Sequence, residues 1–162
     1  MTGGLTLESM VEKVIRAARA LSLDIEVKRL ERPTRTVAEA AAAVGADPAA
    51  IAKSLVFVSD GDPILAVVSG AHRADMDLLA DAFDCAEVRQ ASPDEVRAAT
   101  GFAVGGVPPV GHDLPVVFDE ALCDHELIWA AGGDGNTLFS VDPKALARAI
   151  DARIVSVGAA PA

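Results

Sequence analysis

Residues 100–112, TGFAVGGVPPVGH, hold four glycines and two prolines within thirteen positions. Glycine admits positive φ and close approach of a backbone to a ligand, whereas proline fixes φ and removes an amide donor. Such a stretch can be neither helix nor central strand, so the rest of the chain must fold around a stiff loop with well-placed backbone amides. A plain connection needs about two such residues, and long loops inside compact domains tend to be functional. Two readings stand at this point: a structural connection, or a loop that holds a ligand.

Regular elements are legible on both sides of it. Leu7, Met10, Val11, Val14, Ile15, Ala18 and Leu21 recur at helical spacing, with Glu12, Lys13, Arg16 and Arg19 on other faces, which predicts an amphipathic first helix. Residues 24–30 alternate weakly as a strand before Pro33. Thr36-Val-Ala-Glu39 reads as a capping box opening an alanine-rich helix that stops at Gly45, and Asp47-Pro48 starts a short helical turn. SLVFVS (54–59) and ILAVVS (64–69), joined by Asp60-Gly61-Asp62-Pro63, read as a hairpin. A helix over 74–83 should turn Met76, Leu79, Ala80 and Phe83 inward. Its Asp75, Asp77, Asp81 and Asp84 lack the glycine and the final glutamate of a calcium loop and read as a solvated face.

A short strand over 87–90 follows, and Ser92-Pro93-Asp94-Glu95 caps a helix ending at Gly101. PVVFD (115–119), LIWAA (127–131) and TLFSV (137–141) are further strands, with a glycine turn at 132–136. A helix capped by Asp142-Pro143 and a last strand over 153–157 close the chain. Hairpin-linked strands alternating with helices predict an α/β fold of the α+β kind, a single domain over 1–162 with a curved mixed sheet surrounded by helices.

Composition removes several functional classes. The formal net charge is −10, which opposes broad binding to a phosphate backbone such as DNA. Aromatic residues make up 4% of the chain, too few for a base-stacking platform. The charge is uneven: residues 1–35 carry seven bases against five acids, a net of +2, so the remainder carries −12. A local RNA contact by this basic end and a merely solvated helix face are both open. Cys85 and Cys123 form no Cys-x-x-Cys pair, as expected of reduced thiols. No apolar run has membrane-spanning length and the N-terminus lacks a signal-peptide pattern, so a soluble cytoplasmic protein is expected.

Phosphate-loop, dinucleotide and nucleophile-elbow patterns are missing, and His125-Glu126 lacks the second histidine of a zinc protease. Cys123 and His125 are read as ordinary residues near a strand start rather than a thiol–imidazole pair. Lys53, the only lysine between Lys28 and Lys144, immediately precedes the apolar run SLVFVS. A cation there is costly to bury unless it is paired or faces an anion. It is either a snorkelling surface lysine or a ligand-binding cation in a pocket roofed by the glycine–proline loop.

Four segments together resemble a known family. Residues 51–57 (IAKSLVF), 73–75 (RAD), the loop 100–112 and 130–133 (AAGG) occur in the order and spacing of the YbaK/ProX aminoacyl-tRNA deacylases, relatives of the editing domain of bacterial prolyl-tRNA synthetases. The resemblance covers roughly residues 20–157. It implies a free-standing editing enzyme that hydrolyses the ester of a mischarged tRNA, with aminoacylated tRNA and a synthetase as partners and with no metal or cofactor. Carried over by position, Lys53 and Gly105 would be the catalytic pair. Gly106, Pro109, Gly111, His112, Ala131, Gly132 and Gly133 would contact the substrate, and water or a tRNA hydroxyl would attack.

The chain departs from some members at Ala131 and Leu138, where they carry a serine and an acid. Loss of those polar groups removes the basis for a pocket specific to cysteine or proline, and alanine, serine or threonine suit it at least as well. Two other functions remain compatible: a non-catalytic tRNA- or synthetase-binding module of the same fold, and a hydrolase of small aminoacyl esters.

Overall fold

The structure is a computed structural model, and it describes residues 9–160. Leu7 of the expected first helix lies outside that range. Helix α1 (Met10–Ala20) is capped by the Ser9 hydroxyl, which accepts from the Glu12 amide, and buries Val11, Val14 and Ala18. Strand β1 (Glu26–Arg29), helix α2 (Val37–Val44) and a 3-10 turn (Pro48–Ala50) follow, then the long hairpin β2 (Ile51–Ser59) and β3 (Asp62–Ser69). Strand β4 (Arg73–Ala74), helix α3 (Met76–Phe83), strand β5 (Val88–Gln90) and helix α4 (Pro93–Thr100) lead into the glycine–proline loop. Beyond it come β6 (Val116–Asp119), a 3-10 turn (Glu120–Asp124), β7 (Ile128–Ala131), β8 (Thr137–Val141), α5 (Pro143–Ala149), β9 (Arg153–Val155) and β10 (Gly158–Ala159).

Seven strands run β1-β8-β7-β2-β3-β6-β9, and β5 joins the same sheet on β2. The pairs β2–β7, β3–β6 and β6–β9 are parallel and the others antiparallel, so the sheet is mixed as the sequence predicted. Alternation along β3 sorts the core between its two faces. Leu65 and Val67 join Val14, Val96, Phe102, Phe118, Phe139 and Leu146 on one side. Ile64, Ala66 and Val68 join Phe57, Leu79 and Val117 on the other. A smaller cluster on that second side sets Ala40 and Ala41 of α2 against Ile51 and Leu138.

β2 lends a single edge to two partners. Its beginning, Ile51 and Ala52, pairs with β7, and its end, residues 57–59, pairs with β5. Between them Lys53, Ser54 and Leu55 have no strand on that edge among the described residues, and they are the half-buried residues of an otherwise buried strand.

Several local expectations are corrected. β2 starts at Ile51, so Lys53 stands inside the strand rather than before it. Thr36 caps α2 as expected, but the Glu39 carboxylate accepts from the Arg35 amide and the Thr36 hydroxyl, not from the Thr36 amide. Met76 is exposed, and Ala82 joins Leu79 as the buried side of α3. The last expected strand stops at Val155.

Candidate functional site

The gap in the sheet opens into a cleft of about 830 Å³. Because it passes between β7 and β5, both faces of the sheet line it: Ala52, Val56 and Val96 from one side, Ile51, Trp129 and Leu138 from the other. Residues 103–107 and 133–135 close it, and residues 33–37 form its outer wall. That wall is tied to the glycine turn, since the Leu30 amide donates to Asn136 O and the Thr34 amide to Gly135 O.

Lys53 stands at the gap. It is paired in register with Val68 and therefore points to the second face of the sheet, where its Nζ donates to His72 O at 2.6 Å. Burial lowers its pKa, the Asp119 charge opposes that shift, and Arg73 reinforces it. Arg35 and Asp134 are the other charged residues along the cleft. An ammonium that is partly desolvated and held by one carbonyl keeps two N–H groups for another acceptor.

The tip of the glycine–proline loop is a β-turn closed by the Gly106 amide donating to Ala103 O at 3.0 Å. Gly105 is its third residue, with φ +94°, the conformation a type II turn requires there. The Gly106 amide is thus used inside the turn. The Gly105 amide has no acceptor among the described residues and is one of several donors at the cleft, the amides of Val104, Val107, Gly133, Asp134 and Gly135 being equally without one there.

The two glycine segments meet. A Cβ on Gly133 would lie 2.6 Å from Met10 O, where there is no room for it, and one on Gly106 would lie 3.0 Å from Gly133 O, where the neighbouring backbone would have to give by a few tenths of an ångström. Lys53, Gly105, Gly106, Ala131 and Gly133 border one cleft. Ala131 pairs directly with Leu138 across β7 and β8, giving that wall an apolar surface.

Pro109, Gly111, His112 and Gly132 do not line the cleft. His112 is a strut behind the loop: its Nε2 lies 3.0 Å from Pro108 O, so that nitrogen carries the proton and donates. Burial lowers its pKa, and its Nδ1 is buried with no partner among the described residues. Cys123 lies in the 3-10 turn after β6, not on a strand. Burial raises its thiol pKa, and neither it nor His125 reaches the cleft.

Sequence reasoning missed Ser54, Arg35 and Trp129 as cleft residues. Ser54 Oγ is buried in the cleft wall with no hydrogen-bond partner among the described residues. Its position next to Lys53 was a usable signal, whereas Trp129 enters only because β7 pairs with β2, its partner Ile51 standing far back along the chain.

Known proteins share this fold and parts of this sequence. A crystal structure described as that of a candidate trans-editing enzyme for prolyl tRNA synthetase superposes with a TM-score of 0.88 at 40% identity, covering 95% of this chain and 99% of that one. The "Uncharacterized protein YwhH" of Bacillus subtilis (strain 168) is 34% identical over 124 residues, 75% of this chain and 78% of that protein. The proline–tRNA ligase of Solidesulfovibrio magneticus is 38% identical over 106 residues, 64% of this chain but only 18% of the ligase. Residues 31–149 match the family described as the aminoacyl-tRNA editing domain, and the chain belongs to that family.

Proposed function

We propose that this chain is a trans-editing deacylase that hydrolyses the ester of mischarged tRNA, of prolyl type, carrying alanine, serine, threonine or cysteine. The observation that carries this reading is the placement of Lys53 on one cleft with the loop amides that have no acceptor among the described residues, that of Gly105 among them, in a chain similar to a candidate trans-editing enzyme over 95% of its length.

The aminoacyl ester is already activated, so placement and charge stabilisation suffice for its hydrolysis. Water attacks the carbonyl carbon and gives a proton to solvent; where a hydroxyl of the tRNA attacks first, the acyl group moves to that oxygen and water then attacks the new ester. The carbonyl oxygen gains negative charge as the tetrahedral intermediate forms, and the Gly105 amide and the Lys53 ammonium are its donors. Collapse breaks the bond to the ribose oxygen, which takes a proton from solvent and leaves as the tRNA hydroxyl. With water as nucleophile the products are a free amino acid and deacylated tRNA. The apolar wall of Ala131, Leu138 and Trp129 supports acceptance of a small side chain.

The test is a panel of prolyl-type tRNAs charged with alanine, serine, threonine and cysteine. The protein should shorten the lifetime of at least one, and Lys53→Ala should lower the rate by about 10²–10³, as loss of a donor to a developing oxyanion does. Hydrolysis of none, or full activity in the lysine variant, sinks the reading. Tight tRNA binding without turnover would point to a non-catalytic module.

A further inference from the structure

Lys53 has its ammonium on one carbonyl, that of His72, and the position of that carbonyl is set from across the sheet. His72 ends the turn that follows β3, its amide donating to Ser69 O at 2.9 Å. Asp119, at the end of β6 and only 1% exposed, grips both ends of this turn. Its Oδ2 accepts the Ser69 amide at 3.0 Å and the His72 Nδ1–H at 2.8 Å. Its Oδ1 accepts the Ala121 amide at 3.0 Å, which fixes the carboxylate plane. A buried carboxylate is costly unless its lone pairs are filled, and here two of its three donors, both on Oδ2, belong to the turn that holds Lys53.

We propose that Asp119 is a positioning residue for Lys53, acting through the Ser69-to-His72 turn that its carboxylate clamps. The role rests on Lys53 acting as described above, although the coupling between the two residues does not. Asp119, His72 and Arg73 are the titratable or charged groups facing Lys53 from β6, the turn and β4, and Arg35 and Asp134 share its cleft. Of these, Asp119 supplies the favourable charge that offsets the burial of the ammonium.

The chain has four lysines, so the Lys53 resonance is identified in the spectrum of 13Cε-labelled protein by its loss in Lys53→Ala. In Asp119→Asn the Lys53 pKa should fall below its wild-type value, and kcat for deacylation should fall about tenfold with KM within twofold. A Lys53 titration identical to wild type overturns the proposal whatever happens to turnover. His72→Leu leaves the carboxylate its two amide donors and serves if Asp119→Asn does not fold. It should accelerate exchange of the Lys53 ammonium protons by releasing the turn, and unchanged exchange would overturn the proposal equally. If wild-type protein deacylates no charged tRNA, the functional reading fails while both spectroscopic results still decide the coupling.

Discussion

Gly105 and Gly106 are neighbours that need glycine for different reasons. At Gly105 a Cβ would meet nothing within 4 Å, but φ is +94°. Gly105→Ala should therefore cost ~1–3 kcal/mol of backbone strain, read as a lower denaturation midpoint with an unchanged m-value. At Gly106 φ is ordinary and space is the constraint, so Gly106→Ala must push the loop off Gly133. Its stability loss should be accompanied by a larger fall in deacylation rate, because the Gly105 amide moves with the turn. His112 adds a pH dependence. Its folded pKa lies below the unfolded value, so the unfolded chain binds the extra proton first and stability falls as pH drops below about 6.5. Melting temperatures measured from pH 7.5 to 5.5 should fall in wild type and flatten in His112→Gln.

Among the elements, those fixed by neighbours in sequence were legible and those fixed by distant pairing were not. The capping box at Ser92 forms as read, with the Ser92 hydroxyl accepting from the Glu95 amide and the Glu95 carboxylate accepting from the Ser92 amide, and α4 ends at left-handed Gly101. Replacing Ser92 by alanine should cost about 1 kcal/mol in chemical denaturation. The hairpin β2–β3 was equally visible, because eight residues on each side are mostly apolar or β-branched around a tight turn. The start of β2 was misplaced because a lysine interrupts the apolar run, and only the pairing of Ile51 and Ala52 with β7 shows that the strand begins earlier. The same reason hid Asp119. Its partners Ser69 and His72 lie 50 and 47 positions away, and nothing local marks an aspartate at a strand end as a clamp. For the candidate site, Lys53 and the two glycine segments stood out by composition, whereas the apolar wall from Trp129 and Leu138 required the sheet order.

At the scale of the whole molecule, an acidic protein places a basic edge beside its cleft. Lys28, Arg29, Arg32 and Arg35 are exposed on β1 and the segment after it, which forms the outer wall. If phosphates of a charged tRNA meet this edge, changing Arg29, Arg32 and Arg35 together to alanine should weaken tRNA binding uniformly across tRNAs. The slope of log affinity against log salt should also become shallower by roughly 1 for each phosphate that is no longer neutralised. Filter binding at several salt concentrations measures both, and an unchanged slope would place the tRNA elsewhere. The interrupted edge of β2 has one more consequence, for how the protein breathes. Lys53, Ser54 and Leu55 are held by β3 alone, while the residues before and after them are held from both sides. Local opening at the centre of the sheet therefore needs fewer bonds broken than opening at either end of the same strand. Amide hydrogens along β2 should exchange fastest in its middle, the reverse of the fraying seen in ordinary strands, and a molecule seated in the cleft would slow that centre first.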